Sequence, residues 1–309
     1  MNKLNTSRWP PFAFAGLDYP DLEEAKVIIV PVPFDSTSSY RAGSRNGPER
    51  IIEASRYMEL YDRETDWSPC DVGIFTTTGI EPVRGSVELT LERVKSEVLH
   101  LLRRDKLPVL LGGDHSITVG GVAAASSVFP NLGVVVLDAH CDLRQSYEGS
   151  SFSHACTVRR ILDITEKVLV LGARSCSSEE LDEVRRGAVS VHFWDECDPE
   201  RSQLRMEEAV RSTTWIKSSP LYLSVDLDVL DPSQMPGVGA PEPGGMSYGG
   251  ILKVLRLLCS EGNVVSLDVT ELTPIPGDVR SEFAAAKIVY KFIGYRFKGG
   301  RPNSNGGGS

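Results

Sequence analysis

The stretch GVVVLDAHCD, residues 133–142, joins a short run of β-branched residues to a cluster of acidic and histidine residues. LPVLLGGDH (107–115) and PLYLSVDLDVL (220–230) have the same order, with apolar residues first and acidic residues towards the end. Runs that are apolar at successive positions are typical of strands buried on both faces, as in parallel sheets. The three stretches therefore predict strands of one parallel sheet that carry polar residues at their carboxyl ends.

The rest of the chain continues this alternation. Apolar runs of the same kind lie at 26–32, 167–173, 189–194 and 263–272, and a weaker one begins at Asp71. Stretches with helical spacing of apolar residues separate them, at 47–59, 86–104, 116–127, 177–187, 204–213, 247–260 and 281–293. We therefore expect a single α/β domain of three layers, with a largely parallel sheet of about eight strands.

The domain boundaries and the function classes follow from composition. No internal repeat or linker divides residues 1–297, and the tail 298–309 (KGGRPNSNGGGS) is expected to be a disordered glycine-rich end. The net charge is −9 and basic residues form no cluster longer than a pair, which disfavours nucleic acid as a partner. No apolar run approaches the roughly 20 residues that span a membrane. With no signal-peptide pattern at the N-terminus, we expect a cytoplasmic protein.

Acidic and histidine residues cluster at three of the predicted strand ends. They are Asp114, His115, Asp138, His140, Asp142, Asp226 and Asp228. Residues two apart on a strand point the same way, so Asp138, His140 and Asp142 are expected to converge, as are Asp226 and Asp228. Parallel α/β sheets bind ligands beyond the carboxyl ends of their strands. Burying so many like charges without cations costs on the order of several kcal/mol per ion, so we expect a metal site.

The ligand types indicate which metal this site would hold. Imidazole and carboxylate groups are suitable ligands for a divalent ion such as Mn²⁺. Structural zinc sites and iron–sulfur sites are instead rich in cysteine thiolates. The six cysteines form no Cys-x-x-Cys pair, which is consistent with that choice. There are enough ligands for two ions that share carboxylates. Such a pair would deprotonate a bridging water near neutral pH, so the residues predict a dinuclear metallohydrolase.

Four motifs resemble the signature blocks of the ureohydrolase family, which contains arginases and agmatinases. They are GGDHSIT (112–118), DAHCD (138–142), SVDLDVLDP (224–232) and SLDVTELTP (266–274). The segments GSRNGPERI (43–51) and PGVGAPEPGG (236–245) are also similar to family blocks, in the same order. The resemblance runs from about residue 30 to 290. It implies the arginase/deacetylase-like fold, a trimer or hexamer, and two Mn²⁺ per chain.

The resemblance also implies a role for each residue of the cluster. One ion would be held by His115, Asp138, Asp142 and Asp226. The other would be held by Asp138, His140, Asp226 and Asp228, so that Asp138 and Asp226 bridge. A bridging hydroxide would then attack the carbon of a guanidinium group. Glu271 would bind that cation through a charge-assisted contact, and His154 would pass a proton to the leaving amine. His154, Glu271 and the ligand Asp142 are the predicted catalytic residues.

The loop LRQSYEGSSFSH (143–154) is expected to contact the far end of the substrate. It lacks the Asn-x-His-Gly pattern of arginases and looks more like the loop of agmatinases. Agmatine ends in a second cation, which Glu148 would attract, whereas Arg144 would instead suit a guanidino acid. The leading hypothesis is therefore hydrolysis of agmatine to putrescine and urea.

Several alternatives stay open at this point. Arginase, guanidino-acid hydrolase and N-aminopropyl-agmatine ureohydrolase activities use the same chemistry on other guanidines. A metal-dependent deacetylase shares the related fold and usually holds one zinc. A catalytically silent polyamine-binding protein is the non-enzyme alternative, and retention of the predicted ligands together with His154 and Glu271 argues against it.

Overall fold

The computed structural model describes residues 12–17 and 21–298, and these residues build one central sheet covered by helices. The strands are β1 (Val27–Val32), β2 (Ile74–Thr76), β3 (Leu107–Gly112), β4 (Gly133–Leu137), β5 (Val168–Ala173), β6 (Ser190–Phe193), β7 (Pro220–Asp226) and β8 (Asn263–Thr270). Every strand pairing is parallel and the order is β2-β1-β3-β8-β7-β4-β5-β6. The predicted parallel sheet of about eight strands is confirmed.

The helices of the described chain cover both faces of this sheet. They are α1 (Gly47–Ser55), α2 (Val87–Leu102), α3 (Ile117–Val128), α4 (Thr157–Leu162), α5 (Ser178–Arg185), α6 (Pro199–Ser212), α7 (Trp215–Ser218), α8 (Tyr248–Glu261) and α9 (Arg280–Lys298). Helices α1, α6, α8 and α9 pack over one face, and α2, α3 and α4 over the other. None of the helices in the described ranges is both long and apolar enough to cross a membrane.

Alternate residues of most strands enter the two apolar layers, which explains the uninterrupted apolar runs. In β1, Val27 and Ile29 pack into the layer with α9, whereas Ile28 and Val30 pack into the layer with α2. All four side chains are fully buried. At roughly 1.5–3 kcal/mol for each large apolar side chain buried, these two layers supply the main stabilisation of the sheet.

The start of α6 and the end of α9 differ from those predicted by apolar spacing, and a polar cap explains the first. α6 begins at Pro199, five residues before the predicted start at 204, because Asp198 accepts a hydrogen bond from the backbone N–H of Arg201. Proline at the first helical position is favourable because its missing N–H would have no helical partner. α9 extends to Lys298, which was expected to begin the tail, and residues 299–309 lie outside the described residues.

Candidate active site

Four neighbouring strands in the middle of the sheet bring the predicted site residues to one edge. The sheet order places β3, β8, β7 and β4 side by side. His115 follows β3, Glu271 follows β8, and Asp226 is the last residue of β7. Because all four strands are parallel, their carboxyl ends meet at the same edge, where α/β sheets bind ligands. The topology therefore brings together residues that lie more than 150 positions apart in the sequence.

The segment after β4 reaches this edge by a different route from the one expected. β4 ends at Leu137, so Asp138, His140 and Asp142 lie in a loop and do not alternate along a strand. A hydrogen bond within the loop stabilises its conformation: the backbone N–H of His140 donates to Oδ1 of Asp138 at 2.7 Å. Asp142 has a φ of 50°, a left-handed conformation that is uncommon for residues other than glycine. The expected convergence occurs, but the loop produces it.

His115 lies at the centre of the first group of candidate ligands. Its Nδ1 is 3.1 Å from Oδ2 of Asp138, 3.0 Å from Oδ2 of Asp142 and 3.3 Å from Oδ2 of Asp226. His115 and the three carboxylates are all buried. A nitrogen that faces three carboxylate oxygens at these distances matches the way protein ligands surround a divalent ion.

His140 lies at the centre of the second group. Its Nδ1 is 3.0 Å from Oδ2 of Asp228 and 3.5 Å from Oδ1 of Asp138. Asp138 therefore takes part in both groups, with one oxygen directed to each histidine. Ligand atoms of His115, Asp138 and Asp226, and likewise of Asp138, His140 and Asp228, lie close enough together to hold an ion each.

A buried hydrogen-bond chain fixes the orientation of the His115 ring. Nε2 of His115 is 3.0 Å from Oγ of Ser224, and Ser224 donates to Oδ1 of Asp268 at 2.6 Å. Tyr222 donates to the other oxygen of Asp268 at 2.7 Å. Partners of this kind turn the free nitrogen of a histidine towards a metal and hold it there. Sequence reasoning missed Asp268, although an aspartate inside the apolar run of β8 was a signal that could have found it.

The electrostatics of the cluster indicate a need for positive charge. Burial, together with repulsion from Asp228 and Asp138, raises the pKa of Asp226 well above its usual range. Burial and the charge of Asp138 raise the pKa of Asp142 to about 6. Burial opposes the charged form of His115, but the adjacent carboxylates of Asp138 and Asp142 outweigh it and raise its pKa well above the usual value. The buried carboxylates outnumber the two imidazoles that can neutralise them, and divalent cations would relieve this excess of negative charge.

A geometric observation also supports metal binding by these residues: one buried carboxylate oxygen lacks a hydrogen-bond partner within the described part of the chain. Oδ2 of Asp138 is buried and, among the described residues, has no hydrogen-bond partner of acceptable geometry, although Nδ1 of His115 is 3.1 Å away. Buried carboxylate oxygens are normally hydrogen-bonded, so an oxygen without such a partner needs an explanation. Two ligand atoms that point towards a shared ion, and not at each other, would give this geometry.

Glu271 lies beside the cluster at the end of β8. Its Oε1 accepts a hydrogen bond from the backbone N–H of His115 at 2.8 Å, and its φ is 66°. Burial and the charges of Asp114 and Asp228 raise the pKa of Glu271 well above its usual range. Gly239 lies next to Oε2, where a β-carbon would come within 3.3 Å of that oxygen. One carboxylate oxygen is thus fixed by the backbone, while the other lies towards the cavity wall.

His154 lines the same cavity, in a short 3-10 turn before α4. Its Nδ1 is 2.6 Å from the carbonyl oxygen of Thr37, and its Nε2 is 3.4 Å from Oγ of Ser39. The ring packs edge-on against Tyr147, with 6.0 Å between the ring centroids. His154 is therefore held in place from two sides next to the metal-type residues.

These residues line one cavity of about 270 Å³. Its walls include His140, Asp142, Asp226, Asp228, His154, Glu271, Arg144, Tyr147, Glu180 and the segment 38–41. Arg144 lies 5.0 Å from the centre of the Tyr147 ring and 4.0 Å from Oε2 of Glu180. Glu148 is exposed and is not among the residues that line this cavity, whereas the acidic side chain of Glu180 is.

Comparison with known proteins gives consistent matches over most of the chain. The family model described as the arginase family matches residues 25–294. An N(1)-aminopropylagmatine ureohydrolase from Synechocystis sp. is 37% identical over 278 residues, which cover 88% of this chain and 89% of the relative. An agmatinase from Bacillus cereus is 33% identical, with 89% and 93% coverage. The crystal structure of an agmatine ureohydrolase from Thermoplasma volcanium superposes with a TM-score of 0.80 at 33% identity, covering 89% of this chain and 91% of that one.

Proposed function

Because this chain belongs to the arginase family, we propose that it hydrolyses the guanidinium group of an agmatine-type polyamine and releases urea and an amine. One observation carries the proposal: the Glu271 carboxylate lies in the same cavity as the two groups of candidate metal ligands. A fixed carboxylate attracts a guanidinium cation and repels phosphate, so this arrangement favours guanidine substrates over phosphate esters.

The two ligand groups would hold a pair of divalent cations, for which we propose Mn²⁺. The proposed ligands of the first are His115, Asp138, Asp142 and Asp226, and those of the second are Asp138, His140, Asp226 and Asp228. When bound, such a pair lowers the pKa of water and so supplies a nucleophile near neutral pH. The hydrogen-bond chain from His115 to Asp268 keeps the imidazole directed at the cluster.

Glu271 would bind and orient the substrate. Its Oε1 is already held by the N–H of His115, so the side chain cannot turn away from the cavity. Oε2 then accepts N–H groups of the guanidinium, whose planar donors suit a carboxylate. Fixing the cation in this way places its central carbon within reach of water at the cluster, and such orientation lowers the entropic part of the barrier.

His154 would assist the departure of the amine. As the bond from the central carbon to the amine nitrogen breaks, the electron pair remains on that nitrogen, which takes a proton from the imidazolium form of His154, while the oxygen that has added to the carbon gives up its proton as the C=O bond of urea forms. The products are then neutral urea and an amine, which solvent protonates. Because His154 lines the cavity but belongs to neither group of candidate metal ligands, it can act on the leaving group without displacing them.

The part of the cavity lined by Arg144, Tyr147 and Glu180, here called the outer cavity, would determine which guanidine fits. Glu180 supplies a buried negative charge there, although both its oxygens also accept backbone N–H groups, from Leu143 and Ser177. Arg144 supplies a positive charge that is engaged with the Tyr147 ring. A substrate with a distal ammonium is attracted by Glu180 and can stack on tyrosine in place of Arg144. We therefore propose agmatine and N(1)-aminopropylagmatine as the substrates to compare first, since relatives of both names match this chain.

The urea released from a panel of guanidines tests this proposal. Mn²⁺-loaded protein is incubated separately with agmatine, N(1)-aminopropylagmatine, arginine and 4-guanidinobutyrate. We expect urea from one or both of the polyamine substrates and a raised KM for them in Glu180→Gln, which keeps the side chain's shape. No urea from any of the four, despite bound metal, would contradict the proposal.

A guanidino acid is the second candidate, because Arg144 lines the cavity. Its guanidinium can pair with a substrate carboxylate in bidentate fashion. If this candidate is correct, urea comes from 4-guanidinobutyrate, and Arg144→Ala raises its KM. If the polyamine proposal is correct, Arg144→Ala leaves turnover of the polyamines intact or improves their KM by removing a like charge.

A further inference from the structure

The contacts of His154 define which ring nitrogen carries the proton. Nδ1 lies 2.6 Å from the backbone carbonyl oxygen of Thr37. Its other oxygen neighbours are Oγ of Ser153 at 3.3 Å and Oγ1 of Thr37 at 3.5 Å. A carbonyl oxygen can accept a hydrogen bond but cannot donate one. Nδ1 must therefore be the donor, which leaves Nε2 as the nitrogen that gains and loses a proton.

Thr37 is itself clamped in place by a buried carboxylate. Its backbone N–H and its hydroxyl donate to Oδ2 of Asp114 at 2.9 and 3.0 Å, and its Oγ1 accepts from the backbone N–H of His154 at 2.9 Å. Asp114 is fully buried, and its Oδ1 accepts from the N–H and hydroxyl of Ser116. The position of the Thr37 carbonyl is thus set by Asp114, the residue next to the candidate ligand His115.

We infer that Thr37 is a positioning residue, which holds His154 in the Nδ1–H form and leaves Nε2 to face the cavity. Nε2 lies 3.4 Å from Oγ of Ser39, and both Ser39 and His154 line the cavity wall. The inference rests on the proposed function where it assigns His154 a proton transfer, because only Nε2 is then placed to act. As the carbon–nitrogen bond breaks, the proton on Nε2 passes to the amine, and the imidazole stays neutral with Nδ1–H until solvent supplies another proton.

The arrangement explains why a side chain outside direct reach of the substrate would affect turnover. Without the hydroxyl of Thr37, the backbone N–H of His154 loses its acceptor, and of the two hydrogen bonds from Thr37 to Asp114 only the one from the backbone N–H remains. The imidazole can then rotate or take the neutral Nε2–H form, from which loss of the proton would leave an unfavourable imidazolate anion. Substrate binding through Glu271 stays unchanged, so the effect falls on kcat and not on KM.

Kinetics of Thr37 variants provide the first test. Thr37→Val should lower kcat about 10- to 100-fold, the range expected when an acid–base group is present but misplaced, with KM and metal content unchanged. Thr37→Ser restores the hydroxyl and should restore kcat. In a His154→Ala background, Thr37→Val should produce no further loss of kcat, because both substitutions act on the same proton transfer by His154. Additive losses, or a wild-type kcat in Thr37→Val, would overturn the inference.

Nitrogen NMR of the unaltered protein provides a test that needs no substrate. With ¹⁵N-histidine and diamagnetic Mg²⁺ in place of Mn²⁺, the two ring nitrogens of a neutral imidazole resonate far apart, and the proton identifies the donor. His154→Ala assigns the signal. We expect Nδ1–H for His154, and an Nε2–H form would refute the inference. If no guanidine yields urea while His154 shows Nδ1–H, then the proposed function fails and the positioning by Thr37 stands.

Discussion

Replacing Glu271 by glutamine removes one negative charge from the cavity and changes the shape of the side chain very little. The glutamine oxygen can still accept the backbone N–H of His115, which holds Oε1 of the glutamate at 2.8 Å. The ligand groups around His115 and His140 do not include Glu271, so both should keep their geometry. The substitution therefore isolates what the charge of Glu271 does for a guanidinium substrate.

The magnitude follows from the contact that is lost. A hydrogen bond to a charged group contributes about 1.5–3 kcal/mol, and the amide of glutamine keeps part of it. Taking about 1–2 kcal/mol for the loss of transition-state stabilisation, kcat/KM should fall about 5- to 30-fold. Because Glu271 binds the group that reacts, both kcat and KM are expected to worsen.

Although Glu271→Gln should lower kcat/KM, it should raise the free energy of unfolding of the metal-free protein. Burial, followed by the charges of Asp114 and Asp228, raises the pKa of Glu271 well above its usual value. A carboxyl whose pKa is higher in the folded state than in the unfolded state makes folding less favourable as pH rises above the unfolded pKa of about 4.3. Glutamine does not titrate, so Glu271→Gln should be more stable than wild type at neutral pH, and this advantage should vanish below pH 4.

Urea release and denaturant unfolding measure the two effects on the same preparations. Glu282→Gln is a matched control, because Glu282 is also a buried glutamate with a raised pKa but lies in α9, away from the cavity. The control should keep the wild-type kcat/KM. If Glu271→Gln also keeps the wild-type kcat/KM with metal bound, the carboxylate does not bind the guanidinium and the reasoning is refuted.

Three further predictions concern the surrounding residues. Asp228→Ala should lower the occupancy of one metal and nearly abolish turnover; full activity with unchanged metal content, by elemental analysis, would exclude Asp228 as a ligand. His154→Ala should keep both metals and lower kcat roughly 10²-fold, whereas unchanged turnover would remove His154 from the mechanism. Tyr222→Phe leaves Oδ2 of the buried Asp268 without its donor and should cost about 1–3 kcal/mol in the free energy of unfolding; an unchanged denaturation midpoint would show that the contact is dispensable.

The sheet could be predicted from the sequence because each strand is a short run that is apolar on both faces. Such runs are stable only where both faces are buried, as in a sheet covered by helices on each side. The helices between successive strands favour a parallel sheet. Helix ends were less predictable where a polar cap, and not apolar spacing, decides them. The start of α6 at Pro199 is an example, since its signal lies in the dipeptide Asp198-Pro199 before the apolar pattern begins.

The candidate ligands could be found from sequence because they follow strands that end at one edge, but their local geometry could not. The alternation argument for Asp138, His140 and Asp142 named residues that do converge, although β4 stops before them and a loop brings them together. Glu180, which we propose as a substrate contact, was not named from the sequence because it reaches the cavity from α5, through packing between distant segments. Glu148, expected there from its place in the loop, is exposed on a turn with a φ of 48°.

Some expectations concern properties beyond a single folded chain. The trimer or hexamer, the cytoplasmic location and the identity of the metal stay predictions. The carboxylate-rich ligand set favours Mn²⁺ over thiophilic ions, and the substrate panel decides between the guanidines. Light scattering on purified protein gives the number of chains directly.

Titration of metal-free protein with Mn²⁺, followed by urea release from agmatine and N(1)-aminopropylagmatine, tests the central claim most directly. The account predicts no urea from the metal-free chain and activity that rises to a plateau at two equivalents of Mn²⁺ per chain. A plateau at one equivalent would fit a mononuclear site of the deacetylase kind, and undiminished urea release without metal would contradict the account altogether.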